Sequence, residues 1–156
     1  MAKVFIGFGS NIGERENYIK KALKLLEKEG IHIEAISPIL ETEPYGKKNQ
    51  PPFLNGVLEA RTKIPPIELL RILKKVEKKV GRKKGGKWEP REIDLDLLFY
   101  DDLILETEEI SVPHKDLHNR IFVLEPLSSL APNLVHPVLK KTVKELYNEL
   151  KKKPIE

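Results

Sequence analysis

The chain has 156 residues and no cysteine, which removes disulfides, thiolate zinc sites and cysteine nucleophiles together. It also lacks a long apolar run. Its amino terminus meets glycine after about five apolar residues, too few for a signal peptide or a membrane span. A soluble cytoplasmic protein with no membrane partner is therefore expected. Two charged residue types are scarce. Six of the 28 cations are arginine and five of the 24 acids are aspartate, so lysine and glutamate are the default charges. An arginine or an aspartate is then a marked choice, since the arginine fork grips phosphate bidentately where lysine offers a point charge. The net charge of +4 is too mild to decide between nucleotide phosphates, RNA and solubility. No linker, repeat or low-complexity tract divides the chain, and its length suits a single domain over residues 1–156.

The stretch Lys87-Trp88-Glu89-Pro90-Arg91-Glu92-Ile93-Asp94-Leu95-Asp96-Leu97 holds the one tryptophan, an arginine behind a proline, and two of the five aspartates. Read as a strand, it places Asp94 and Asp96 on one face, with Cα atoms roughly 6.5–7 Å apart, and Leu95 and Leu97 on the other. Two carboxylates at that spacing suit hard cations. The basic, glycine-rich segment before them, Gly81 to Lys87, suits a cover over an anionic ligand, or equally a solvated charge run.

Val4 to Gly9 reads as a buried first strand. Gly7, Gly9 and Gly13 have the wrong spacing for a dinucleotide loop and no G-K-[ST] follows, so tight turns are the expected use of these glycines. Asn11 and Glu14 predict a capping box, followed by a helix striped with Ile19, Ala22, Leu23 and Leu26 and ended by Gly30. Ile31, Ile33 and Ala35 alternate as a strand, with His32 facing solvent. A long polar loop from Glu41 to Pro52 leads into a strand on which Phe53, Asn55 and Val57 share a face. Phe53 and Asn55 suit a flat heterocycle, by stacking and amide pairing, or equally a core ring and a turn amide. Pro65 and Pro66 open a second helix, striped with Leu69, Leu70, Leu73, Val76 and Val80. Glu77 lies at the edge of that stripe and calls for a cationic partner, with Arg82 near in sequence. His114 and His118 are four apart, a helical metal spacing, but without the glutamate of a zinc protease. Leu139 to Leu150 reads as a final helix.

The order β-α-β-β-α-β predicts an α+β fold, with a ferredoxin-like antiparallel sheet, helices packed on it, and an additional C-terminal hairpin and helices. Six ordered pieces extend this to a family: Gly-Ser-Asn at 9–11, "ETEPYG…QPPFLN", "EKKVGR", "KWEPREIDLDLLFY", "VPH" and "NRIFVLEPL". In these the chain resembles the 6-hydroxymethyl-7,8-dihydropterin pyrophosphokinases of folate biosynthesis over essentially its whole length. The resemblance implies a catalytic domain that moves the diphosphate of ATP to the pterin hydroxymethyl oxygen and releases AMP. It implies two magnesium ions on Asp94 and Asp96, with Arg82 and Arg91 completing the catalytic set. Glu77, Arg82, Trp88, Arg91, Leu97, Ser111, His114 and Arg120 fall at ATP-binding positions. Thr42, Tyr45, Phe53, Asn55, Trp88 and Phe122 fall at pterin-binding positions. Lys87, Glu89 and Ile121 depart from the usual family residues, and the loop carrying Lys83 and Lys84 is slightly short. Small-molecule substrates, no nucleic acid and a monomer are expected. Two other readings use the same features: a related magnesium-dependent phosphoryl or nucleotidyl transferase, and a ferredoxin-like RNA-binding module. The RNA reading lacks the exposed aromatics of an RNP-type sequence.

Overall fold

A computed structural model describes residues 1–10, 14–42, 52–81 and 93–153, with Thr42 described by its backbone alone. The chain runs β1 (Ala2–Ser10), α1 (Arg15–Lys28), β2 (Ile31–Ile36), β3 (Leu40–Thr42), β4 (Phe53–Thr62), α2 (Pro66–Val80) and β5 (Asp94–Tyr100). A short hairpin follows, β6 (Leu105–Glu106) and β7 (Ser111–Val112), then a 3-10 turn at Leu117–Asn119 and helices α3 (Ile121–Leu130) and α4 (Val143–Lys152). The main sheet has the order β2-β4-β1-β5, with β3 also on β4, and every pairing is antiparallel. This is the expected α+β sheet.

One face of the sheet carries Val4, Ile6, Phe8, Leu58, Ala60, Leu95 and Leu97, packed on the stripes of α1 and α2. Those stripes are the predicted ones: Ile19, Ala22 and Leu26 on α1, and Leu69, Leu73, Val76 and Val80 on α2 are all buried. Each large aliphatic side chain so buried contributes roughly 1.5–3 kcal/mol. Pro66 stands at the first position of α2 behind Pro65, where its fixed φ and missing N–H cost nothing. Gly30, at φ 95°, turns the chain from α1 into β2, a conformation that favours glycine.

The C-terminal helices lie on the opposite face. There Phe5, Val57, Leu98 and Phe99 pack with Leu117, Leu124, Leu127, Val143 and Leu146. A register shift in β5 makes this possible. Ile6 pairs with Leu97 and Phe5 with Phe99, so Leu98 is an extra residue. Leu98 and Phe99, neighbours in sequence, thereby join the same cluster, as a β-bulge allows.

Several local expectations need correction. α1 begins at Arg15 with Glu14 as its cap residue and no side-chain capping bond; Glu14 instead accepts a hydrogen bond from the Asn17 side chain at 2.7 Å. Asn11 and Gly13 lie outside the described residues. Gly7 and Gly9 make no turn; both sit inside β1, paired on either side. The last helix starts at Val143 rather than Leu139, because Thr142 closes a capping box with Glu145 and Lys140, just before it, has a φ of 59°. His114 and His118 share no helix: only the short 3-10 turn covers His118.

Candidate active site

The half of the second face that α3 and α4 do not cover forms a pocket of about 50 Å³, bounded by Gly7, Gly9, Asn55, Asp94, Asp96 and Arg120, with Phe122 at its rim. The register explains the grouping. Asp96 pairs across with Gly7 and Asp94 with Gly9 on one side of β1. On the other side Gly7 pairs with Val57 and Gly9 with Asn55. Directly paired residues of antiparallel strands share a face, so the aspartates, the two glycines and Asn55 form one continuous floor. Phe53 lies two residues along β4 on that face, opposite Thr42 of β3. A Cβ on Gly9 would come within 2.8 Å of Asn55 Oδ1, closer than real Cβ contacts. Gly9 therefore holds the space in which the Asn55 amide rests. The sequence reading missed Gly7 and Gly9 as site residues, and their alternation in a buried strand was the available signal.

Arg120 closes one side. It sits between the 3-10 turn and α3, and its Nη1 is 4.0 Å from Asp96 Oδ2. Both side chains are more than a third exposed, so this pairing contributes little stability and leaves the guanidinium beside the pocket. Phe122, one residue into α3 and 36 % exposed, offers a ring face at the rim. His114 is held by its backbone N–H, which donates to Leu98 O at 2.9 Å, while its Nδ1 accepts from Asp116 N–H at 3.4 Å. Burial lowers the His114 pKa; Asp96 opposes this and Arg120 adds to it. The ring is thus biased toward its neutral, single-donor form.

The remaining sequence-derived residues are placed less directly. Leu97 is buried beneath α1 and α2, back to back with the aspartates. Ser111 is half-buried on β7 and its hydroxyl donates to Pro113 O at 3.4 Å. Glu77 is 3 % exposed, and its carboxylate accepts the Leu95 backbone N–H at 2.8 Å. It thus grips β5 between the two aspartates. The expected cationic neighbour, Arg82, lies outside the described residues, as do Arg91, Trp88 and Tyr45.

The donor set suits a hard divalent ion: two carboxylates project from one strand face over glycines that add no bulk. Among the described residues no third histidine, cysteine or carboxylate joins them in a metal-binding group. An ion held here would keep most of its coordination for phosphate oxygens and water, as magnesium does.

Comparisons with known proteins establish the family and the fold. The family model of 7,8-dihydro-6-hydroxymethylpterin-pyrophosphokinase matches residues 5–132. The 2-amino-4-hydroxy-6-hydroxymethyldihydropteridine pyrophosphokinase of Aquifex aeolicus is 48% identical over 99% of this chain and 96% of its own length. Its counterpart in Bacillus subtilis is 39% identical over 81% of this chain and 76% of its own. The folic acid synthesis protein fol1 of Schizosaccharomyces pombe is 44% identical over 94% of this chain, which spans only 20% of that longer protein. Among solved structures, wild-type HPPK-DHPS of Plasmodium falciparum with pteroate superposes with a TM-score of 0.76 at 18% identity, over 95% of this chain and 44% of that one; at that identity it supports the fold alone. On that family match and those relatives, the chain belongs to the 7,8-dihydro-6-hydroxymethylpterin-pyrophosphokinase family.

Proposed function

We propose that this chain catalyses transfer of the terminal diphosphate of ATP to the hydroxymethyl oxygen of 6-hydroxymethyl-7,8-dihydropterin, with Asp94 and Asp96 as the centre of the site. Pyrophosphokinase activity in folate biosynthesis is that of the family and of its relative in Aquifex aeolicus. The observation that carries the residue assignment is the pairing of both aspartates with side-chain-free positions of β1, beside Arg120, Asn55 and Phe122.

In the reaction the pterin oxygen forms a bond to the β-phosphorus, the bond from that phosphorus to the α,β-bridging oxygen breaks, and AMP leaves with that oxygen. The hydroxyl proton passes to solvent, with no side chain nominated as base. Two magnesium ions on Asp94 and Asp96 supply charge neutralisation at the phosphates when bound. Arg120 adds a cationic fork beside them, and His114, biased to the neutral ring, donates one hydrogen bond to a phosphate oxygen. Phe53 and Phe122 stack on the pterin ring and Asn55 pairs with its edge, which fixes the hydroxymethyl arm relative to the phosphates. Thr42 and Tyr45 extend the pterin side. Ser111 lines the nucleotide side, which Leu97 and Glu77 support from the α1 and α2 side of the sheet. Arg82, Arg91 and Trp88 act from the segment between Gly81 and Ile93.

In this reading residues 1–156 act as one catalytic domain and as a monomer in the cytoplasm. No helix among the described residues is long and apolar enough to cross a membrane. The test is product analysis: the purified chain should form AMP from ATP only when both hydroxymethyldihydropterin and magnesium are present. Formation of ADP would overturn the diphosphoryl-transfer assignment.

A further inference from the structure

A second hollow, of about 170 Å³, opens between the β6–β7 hairpin and the turn before α4. Ile104, Val138 and Leu139 stand on its wall, and they are 58%, 52% and 37% exposed. Grouped exposed aliphatics of this kind mark binding surfaces more often than scattered ones do. His118 and His136 line the same hollow. His136 is buried, and its Nδ1 accepts the backbone N–H groups of Val138 and Leu139 at 3.2 and 3.1 Å. That pattern assigns the ring proton to Nε2. Burial, and next the neighbouring His118, lower the His136 pKa, so the ring is neutral near pH 7.

Two further observations define what would fit. Phe5, Phe99, His136 and His118 form a series of edge-to-face rings, with successive centroids 6.2, 5.7 and 6.5 Å apart. At the end of that series, His118 Nδ1 is enclosed and has no hydrogen-bond partner among the described residues, a state that favours any donor able to reach it. Three other polar groups of the wall have partners of their own. The Ser111 hydroxyl donates to Pro113 O, Lys115 Nζ is 3.5 Å from Glu106, and His114 Nδ1 accepts from Asp116 N–H.

We infer that this hollow is a second binding site, for a small planar aromatic molecule carrying one O–H or N–H donor. Its ring extends the edge-to-face series and its donor meets His118 Nδ1. The volume slightly exceeds the roughly 150 Å³ of a cavity that accepts benzene, enough for one six-membered ring with a polar substituent. A water is a poorer occupant, since a buried water takes about two to four polar partners and half of the wall is apolar: Ile104, Leu105, Val112, Pro113, Val138 and Leu139. Ile104, His118, His136, Val138 and Leu139 are outside the proposed catalytic set. Ser111 and His114 are shared with the proposed nucleotide side, so occupancy also alters ATP affinity; this coupling rests on the function proposed above, whereas the binding itself does not.

Phenol is the probe, titrated into the full chain while amide and histidine-ring resonances are followed by NMR. The expected result is saturable shifts of His118, His136, Val138 and Leu139 in the low-millimolar range. Leu139→Trp, which fills the hollow, should abolish them while leaving AMP production at saturating ATP unchanged. His118→Phe should weaken phenol at least tenfold and leave toluene binding as it was. Shifts that do not saturate, or that persist in Leu139→Trp, overturn the site. Equal binding of phenol and toluene by the unsubstituted chain overturns the donor role of the ligand. AMP production without phenol reads the catalytic proposal separately, so either can fail alone.

Discussion

The two faces of the sheet are built by the same strands and end in opposite conditions. Under α1 and α2, Val4, Ile6, Phe8, Leu58, Ala60, Leu95 and Leu97 pack into one apolar cluster, with the buried Glu77 carboxylate reaching the Leu95 backbone. On the other side α3 and α4 close only the half around Phe5, Val57, Leu98 and Phe99. The remaining half bears Gly7, Gly9, Asn55, Asp94 and Asp96. The strand period of two serves both ends of this division: it hides every second residue for stability and presents the others for chemistry. Where cover stops, polar residues and glycine replace aliphatics in the same strands. The proposed site is the part of the sheet that α3 and α4 leave uncovered.

The contrast is sharpest in substitutions that separate activity from stability. Asp96→Asn should lower AMP formation about 100- to 1,000-fold, the scale of losing one major electrostatic group, with the melting temperature little changed because Asp96 is partly exposed. Near-normal turnover at saturating magnesium and substrates would remove the open half from the reaction. Phe99→Ala, on the closed half of the same strand, should cost about 3–5 kcal/mol of unfolding free energy in urea titrations; a loss below about 1 kcal/mol would mean the second cluster is poorly packed. Gly9→Ala lies on the boundary. Its methyl displaces the Asn55 amide and should raise the pterin KM about tenfold, or roughly 1.4 kcal/mol, with kcat nearly unchanged. An unaltered KM would show that Asn55 does not position the pterin. Thr142→Ala removes the capping box of α4 and should cost about 1 kcal/mol without altering AMP formation, since α4 borders the closed half alone.

The smallest effect is one of pH. His136 has its folded pKa lowered, first by burial and then by His118. Its contribution to stability is complete above the ordinary histidine value of about 6.5. It is lost as pH falls from there toward the lowered folded value, because the unfolded chain then binds more protons. Denaturant midpoints should decline below pH 6.5, and less steeply in His136→Phe. A slope unaffected by that substitution would place the titrating group elsewhere.

Much of this division is legible in the residues. The alternation of Asp94 and Asp96 with Leu95 and Leu97 states which side is core and which is left for the proposed chemistry, and the same period groups Phe53, Asn55 and Val57. The helix stripes are equally plain, since burial follows the 3.6-residue period. The uses of Gly7 and Gly9 are not legible in the same way. A glycine in a strand and one in a turn look alike until pairing shows what lies beside each. The extra residue at Leu98 is hidden for the same reason, because register belongs to two strands and not to one. Glu77 advertises a need for a partner, yet the partner seen is a backbone N–H 18 residues on. His114 and His118 carry a helical spacing, but burial of Leu117 in the second cluster fixes a 3-10 turn there. The true start of α4 was written as Thr142 and Glu145; the apolar residues before it, Val138 and Leu139, extended the apparent stripe into a loop.

The bond from Glu77 to Leu95 has a consequence for how this enzyme tolerates change. Glu77 stands near the end of α2 and Leu95 at the start of β5, so one carboxylate ties together the two points between which the chain departs and returns. Residues may be gained or lost between Gly81 and Ile93 without transmitting that difference to the aspartates, in the way a buckle makes the position of a belt independent of its slack. The slightly short Lys83–Gly86 loop that the family resemblance implies is an alteration of the kind this arrangement permits.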